Sequence, residues 1–271
     1  MDNEIGRPNS DDQDVPNTRT HIHQLSAPGE WALQKLFGPS LDAMGADLYR
    51  AYEAARNGIL NAAIRKTPDM EDGKRTNIRV AHGVLAGGAF SDSEICAEYF
   101  GGILASSRSE EGQNDDSIQF VEVTKSLSSK QLHLHYVIYN RMNKLFVANG
   151  TQVNVGMSTE IQTQKLWFSS VELSLMGLKV DTDFNILWKH GLTSDYQTNI
   201  EKRDDGVVPY CSVVPTTFGV MLYAVSHNRY AEWRQFNSQD FGDYEGISLP
   251  SIYKDSLEGL LSVAIVRTTG N

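Results

Sequence analysis

One run of residues limits this chain more than any other: Ser91-Asp92-Ser93-Glu94-Ile95-Cys96-Ala97-Glu98-Tyr99-Phe100-Gly101-Gly102-Ile103-Leu104-Ala105-Ser106-Ser107. Ser91 with Glu94 has the form of a capping box, and Phe90 with Ile95 has the spacing of a hydrophobic staple, so a helix is expected to begin at Ser91. Ile95, Cys96, Tyr99, Phe100, Ile103 and Leu104 recur as adjacent pairs every four positions and predict one broad buried stripe. Ala97, Gly101, Gly102 and Ala105 are small enough to let neighbouring helices approach closely. Such a helix belongs in a core and brings no chemistry of its own.

A chain of 271 residues, 40% hydrophobic and 21% charged, is long enough to bury a sizeable core in one large domain or two small ones. Its two cysteines, Cys96 and Cys211, lie on apolar segments far apart in sequence, which points to buried thiols in a reducing compartment. The net charge is -10, but residues 1–30 hold six acids and two bases, and residues 232–271 hold six acids and three bases. The body between them is nearly neutral, so charge neither demands nor forbids a phosphate-bearing partner. Met1-Asp2-Asn3-Glu4 lacks the basic and apolar regions of a signal peptide. Residues 207–227 are uncharged but interrupted by Pro209, Pro215 and several hydroxyls, so no membrane span is expected and the protein reads as cytoplasmic.

Residues 1–29 are rich in Asp, Asn, Pro, Ser and Thr and nearly devoid of apolar residues, as in a disordered tail. His21 and His23 within it are too few to form a metal site. A short helix is expected from Trp31 to the break at Gly38-Pro39, then a long amphipathic one carrying Leu41, Met44, Leu48, Tyr52, Ala55, Ile59 and Ala62, ending before Pro68. Its apolar seam suits an intramolecular core or a homodimer. Ile78, Ala81 and Leu85 mark a second stripe ending near Gly87-Gly88, and Asp116 with Gln119 a further cap ahead of Ile118, Val121 and Leu127. Ser128 with Gln131 repeats the capping box and opens a helix with Leu132, Tyr136, Tyr139 and Phe146 on one face. His133 and His135 on that helix point roughly 200° apart, so they do not share a metal and read as surface or interface residues.

The turn-rich stretch 146–156 marks the expected domain boundary. Beyond it, residues 159–176 read as a helix stopped by Gly177-Leu178. Residues 183–190, 198–203 and 207–214 read as strands, the last two joined at Asp204-Asp205-Gly206. Pro215-Thr216-Thr217 introduces a closing helix with Phe218, Leu222 and Val225. Helix, hairpin and helix together suggest a winged-helix-like unit. Trp233, Phe236, Phe241 and Tyr244 either fold back on the body or bind a partner, and residues 260–266 form a strand or a docking helix.

The expected architecture is mainly α with a small α+β part: a polar tail over 1–29, a helical bundle over 30–148, a winged-helix-like subdomain over 149–230 and a C-terminal extension over 231–271. No catalytic pattern, metal-ligand spacing or cofactor motif is present, and Gly87-Gly88 lacks the following Lys-Ser or Lys-Thr of a phosphate loop. Lys202 and Arg203 on the hairpin, with Lys189 and with Lys165 on the preceding helix, are candidates for contacting nucleic-acid phosphates. Asp181, Asp183, Asp204 and Asp205 are the densest carboxylates of the β part and the only candidates for a Mg²⁺-dependent hydrolase or nuclease, although turns collect Asp for backbone reasons as well.

Five short elements in order resemble the bacterial abortive-infection alpha (Abi-alpha) family. They are Phe37-Gly38-Pro39-Ser40-Leu41-Asp42-Ala43-Met44-Gly45; Tyr99-Phe100-Gly101-Gly102-Ile103-Leu104-Ala105-Ser106-Ser107; Phe120-Val121-Glu122-Val123 with Leu127-Ser128; Leu175-Met176-Gly177-Leu178; and Pro215-Thr216-Thr217-Phe218-Gly219. The resemblance runs from Leu36 to Val225 and consists of caps, turns and small packing residues. It implies antiviral defence against phage by a non-enzymatic protein that binds a phage or host protein, supplies no catalytic residues, and leaves homo-oligomerisation open. A nucleic-acid-binding module is the alternative expectation, and a metal-dependent hydrolase the third.

Overall fold

The computed structural model describes residues 41–89, 91, 93–203 and 206–268. The expected tail, the helix at Trp31 and the pair His21/His23 lie outside them. Two compact units are distinguished, 1–46 and 47–271. Of the first, only the opening residues of helix α1 (Leu41–Arg65) are described, and the remainder of α1 and every later element belong to the second.

The fold is mainly helical with a small antiparallel sheet. After α1 come a two-residue ladder of β1 (Arg75–Thr76) with β2 (Arg108–Ser109), and the helices α2 (Ile78–Gly87), α3 (Glu94–Ser106), α4 (Ile118–Ser126) and α5 (Ser129–Asn149). Next along the chain are α6 (Ser158–Ile161), β3 (Leu166–Ser169), α7 (Ser170–Leu175), α8 (Val180–Lys189), β4 (Thr193–Arg203), β5 (Gly206–Pro215) and α9 (Thr217–Ser226). A 3-10 turn (Tyr230–Gln235), β6 (Tyr253–Lys254) and α10 (Leu257–Thr268) complete the chain. The larger sheet has the order β4-β5-β3-β6, with every pairing antiparallel.

Helix α3 is the centre of the core, but its burial is broader than one stripe, taking in Glu98, Gly101, Gly102 and Ala105 as well as the apolar pairs. The glycines are the reason. A Cβ on Gly101 would stand 2.5 Å from Cβ of Ala62 on α1, and one on Gly102 would stand 1.8 Å from the carbonyl oxygen of Ser226 at the end of α9. Two elements therefore press onto α3 at adjacent residues. The helix starts later than expected: Ser93 is its N-cap and makes no side-chain cap bond, so the Ser91/Glu94 box is not formed. Phe90 of the expected staple lies outside the described residues.

Several other expectations are corrected. In α2 the buried residues are Val80 and Val84, and Ile78 is 82% exposed, because α2 packs with Gly83 against Val121 of α4. Helix α4 is preceded by Ser117, without a side-chain cap from Asp116. The helix expected over 159–176 is interrupted by β3, whose alternating burial fits it between β5 and β6. Residues 183–190 are helical, since Val180, Phe184 and Leu187 recur at helical spacing and Asp183 is buried at the first turn, where its Oδ2 accepts the Lys179 N–H at 2.8 Å. Other local signals form as read. Ser128 and Gln131 make a reciprocal capping box. Gly177 is left-handed at φ 74°, with the Leu178 N–H returning to the Leu173 carbonyl. The Thr216 hydroxyl caps α9 through the Gly219 N–H.

One hydrophobic cluster runs without interruption from Ile59 to Tyr244. Residues of β5 alternate between two buried sides. Cys211 and Val213 belong to that cluster, while Tyr210 belongs to a smaller one with Ile252 and Leu260 of α10. The aromatic segment after Arg229 folds back on α5. Asn143 donates to the carbonyls of Phe236 and Gln239 at 2.6 and 2.7 Å and accepts the Phe241 N–H at 3.0 Å. Residues 260–266, read as either strand or helix, lie in α10. Among the described residues no helix is long and apolar enough to cross a membrane.

Candidate functional site

Helix α8 lies over the root of the β4–β5 hairpin and stops short of its end. Phe184 stacks on Tyr196 with ring centroids 5.5 Å apart, Asn185 donates to the Tyr196 hydroxyl at 3.2 Å, and Thr198 donates to Oδ1 of Asp181 at 3.0 Å. Further along the same face, Ile200 and Val207 are 55% and 56% exposed. Between this end of the hairpin, the start of α8 and α7 lies an open groove of ≈ 630 Å³, lined by Leu178, Val180, Ile200, Pro209 and Tyr210 together with Ser170 and Ser174. On α7, Val171 is half-exposed and Leu175 is 84% exposed. Apolar side chains standing free around a groove are the usual mark of a binding surface.

The four candidate basic residues are strung along this hairpin. Lys189 ends α8 at the root, and Lys202 and Arg203 are exposed at the far end, opposite Val207 and Gly206. Ten residues of strand between Thr193 and Arg203 amount to about 33 Å. Lys165 precedes β3 rather than sitting on a helix, where it donates to Oε1 of Gln197 at 3.4 Å and lies 5.1 Å from the Trp167 ring centre. Lys165, Lys189 and the hairpin tip therefore occupy separate positions, and only Lys202 and Arg203 are adjacent.

Two of the four candidate carboxylates are already engaged. Asp183 is buried and also accepts from Nε2 of Gln131 at 3.5 Å, and Asp181 holds Thr198. Asp204 and Asp205 lie outside the described residues. Among the described residues no group of three His, Cys, Asp or Glu side chains is placed to hold a metal ion. His133 meets the Ser248 carbonyl at 2.7 Å through Nε2. His135, read as a surface or interface residue, is instead fully buried in the core with Nδ1 2.5 Å from the Tyr99 hydroxyl, because this side of α5 is covered by α3 as well.

A second concentration of polar groups lies inside the molecule. Lys66, just past the end of α1, sets its Nζ 2.6 Å from Oε2 of Glu98 and donates to the carbonyls of Glu98 at 2.7 Å and Ser226 at 2.8 Å. The ammonium also lies 4.2 Å from the Tyr244 ring centre. The Tyr244 hydroxyl donates to Oγ of Ser226 at 2.7 Å, and its ring stacks on His227 at 4.4 Å. Burial lowers the Lys66 ammonium to about 8 against the opposing pull of Glu98, and burial likewise lowers His135 to about 3 and His227 well below its ordinary value. Burial raises Tyr99, Tyr223 and Tyr244 well above theirs. At neutral pH these imidazoles and phenols are uncharged, and together with Lys66 they knit α1, α3, α9 and the C-terminal segment together. The sequence signal for this node is Glu98, an acid in the middle of a largely apolar helix.

No protein family, no curated protein and no solved structure matches this chain.

Proposed function

We propose that the protein is a non-enzymatic anti-phage protein of the abortive-infection type, which engages a phage or host protein through the groove between α7, the start of α8 and the end of the hairpin. The observation that carries the binding part is the apolar lining of that groove, where the exposed Ile200 stands with Leu178, Val180 and Pro209. The phage-defence part rests on the five sequence elements that resemble the abortive-infection alpha family. The engagement of Asp181 and Asp183 in structural hydrogen bonds supports a binding role over metal-dependent hydrolysis.

The test is plaque formation on bacteria expressing the chain. Wild type reduces plaque numbers for at least one phage, and a Ser174→Trp variant, which fills the groove from an exposed lining position, loses that protection at an unchanged melting temperature. Equal protection by the variant, or no protection by wild type across a broad phage panel, overturns the reading.

A second reading is favoured by one observation: Lys202 and Arg203 are adjacent and exposed at the end of the hairpin. In that reading α8, β4 and β5 form a winged-helix-like unit whose wing tip meets nucleic-acid phosphates. Gel-shift titration at low salt decides it: binding that weakens in a Lys202→Glu variant supports it, and no binding removes it.

A further inference from the structure

Strand β4 is the outermost strand of its sheet, with β5 on one side and, among the described residues, no strand on the other. Alternate residues of such a strand turn their N–H and C=O away from the sheet, and natural edges are kept short or charged to prevent pairing. This edge is unusually long, at eleven residues, and Asp195, Gln197, Thr198, Asn199, Ile200, Lys202 and Arg203 are all exposed along it. Its charges are partly segregated: a lone Asp195 lies near the root, and the tip carries two bases, Lys202 and Arg203, beside one acid, Glu201.

That segregation makes the strand complementary to itself. We propose that β4 pairs antiparallel with β4 of a second copy of this chain, about a two-fold axis at Asn199. Asp195 then stands directly opposite Arg203 of the second copy, Tyr196 opposite Lys202, Gln197 opposite Glu201, and Thr198 opposite Ile200. Each pairing occurs twice, as in any isologous interface. Opposite charges and an aromatic with a cation are favourable cross-strand neighbours, and Ile200 gains an apolar neighbour in the Thr198 methyl. The register is specified as well. With the axis at Thr198, Glu201 would face Asp195; with the axis at Ile200, Arg203 would face Gln197 and the charge pairing would be lost. Charges placed only to block an edge carry no such preference for one register. Main-chain hydrogen bonds supply the affinity of strand addition, and the side-chain pairs supply its specificity.

The seam shares Thr198, Asn199 and Ile200 with the groove, but the charge reversals that test it use Asp195 and Arg203, which do not line the groove, whereas the groove reading is tested at Ser174. Sedimentation of the full chain over a concentration series is the experiment. Wild type sediments as a dimer. Arg203→Asp raises the dimer dissociation constant about tenfold, since two symmetry-related attractions become repulsions. Asp195→Arg does the same, and the double variant Asp195→Arg/Arg203→Asp returns to the wild-type value. Both residues are exposed, so the melting temperature serves as the folding control. In an Asn199→Cys variant, mild oxidation cross-links the two copies through position 199, where the opposed Cα atoms lie within disulfide reach. Wild type that stays monomeric throughout, a dimer indifferent to both charge reversals, or a dimer of the Asn199→Cys variant that fails to cross-link overturns the proposal.

Discussion

The Lys66 ammonium lies 2.8 Å from the carbonyl oxygen of Ser226, the last residue of α9, although 160 positions separate the two in sequence. A cation at that point satisfies an orphan carbonyl at the helix end and meets the negative end of the helix dipole. Replacing it leaves Glu98 buried with Arg65 as its remaining cation. Lys66→Met is therefore expected to lower unfolding free energy by about 3 kcal/mol in urea titration, and adding Glu98→Gln to recover part of that loss. A single-variant loss within experimental error would show that the node adds nothing to stability.

Acid should unfold this protein through its buried imidazoles. His135 is lowered from 6.5 to about 3 and His227 is lowered well below its ordinary value, both by burial. The unfolded chain takes up these protons near pH 6.5 while the folded chain refuses them. Their contribution is complete above 6.5 and is lost as pH falls from there toward 3, by an amount on the order of a few kcal/mol. Denaturant midpoints measured across that window should decline steadily. Asp240, held below its usual value against burial by Lys144 and the Gly242 N–H, adds its own loss as pH falls below 3.8. On the alkaline side Lys66 acts with the same sign. Folded Lys66 releases its proton near 8 and unfolded Lys66 near 10.5, so its contribution grows as pH rises between them.

Gly102→Ala is expected to lower stability by about 3 kcal/mol or more, because the added Cβ would lie 1.8 Å from the carbonyl oxygen of Ser226 and backbone has no rotamer with which to move aside. Gly58→Ala is the matched control. Its Cβ would meet Cβ of Ala97 at an ordinary 3.5 Å, in a helix where alanine is the better residue, and thermal melting should show a gain of about 0.5 kcal/mol.

How legible each element is in the sequence depends on the range of the forces that set it. The Ser128/Gln131 box, the Thr216 cap, the Gly177 stop and the β4–β5 strands are set within a few residues, and all were legible. Helix α8 was not, because Ile186 and Trp188 beside Leu187 blur a three-and-four spacing into something like alternation. The cap of α3 was misplaced since three candidates, Ser91, Asp92 and Ser93, stand together and only packing selects Ser93. Of the site, the basic hairpin tip was visible as sequence. The groove was not, because it depends on where α7 and α8 lie against β5, and Lys66 gave no hint of meeting residues far away on α3 and α9.

Helix α5 depends on partners that are made late. Asn143 is satisfied by Phe236, Gln239 and Phe241, the Asn140 Nδ2 by the carbonyl of Gly242 and the carboxylate of Asp243, and the Tyr136 hydroxyl by the Tyr244 N–H. A nascent chain leaving the ribosome exposes these amides and this phenol roughly a hundred residues before the groups that quench them have been synthesised. Translation must pass Tyr244 before this core can close, so a message truncated even shortly upstream of that codon would yield a chain for chaperones and proteases to clear, with no partly working remnant.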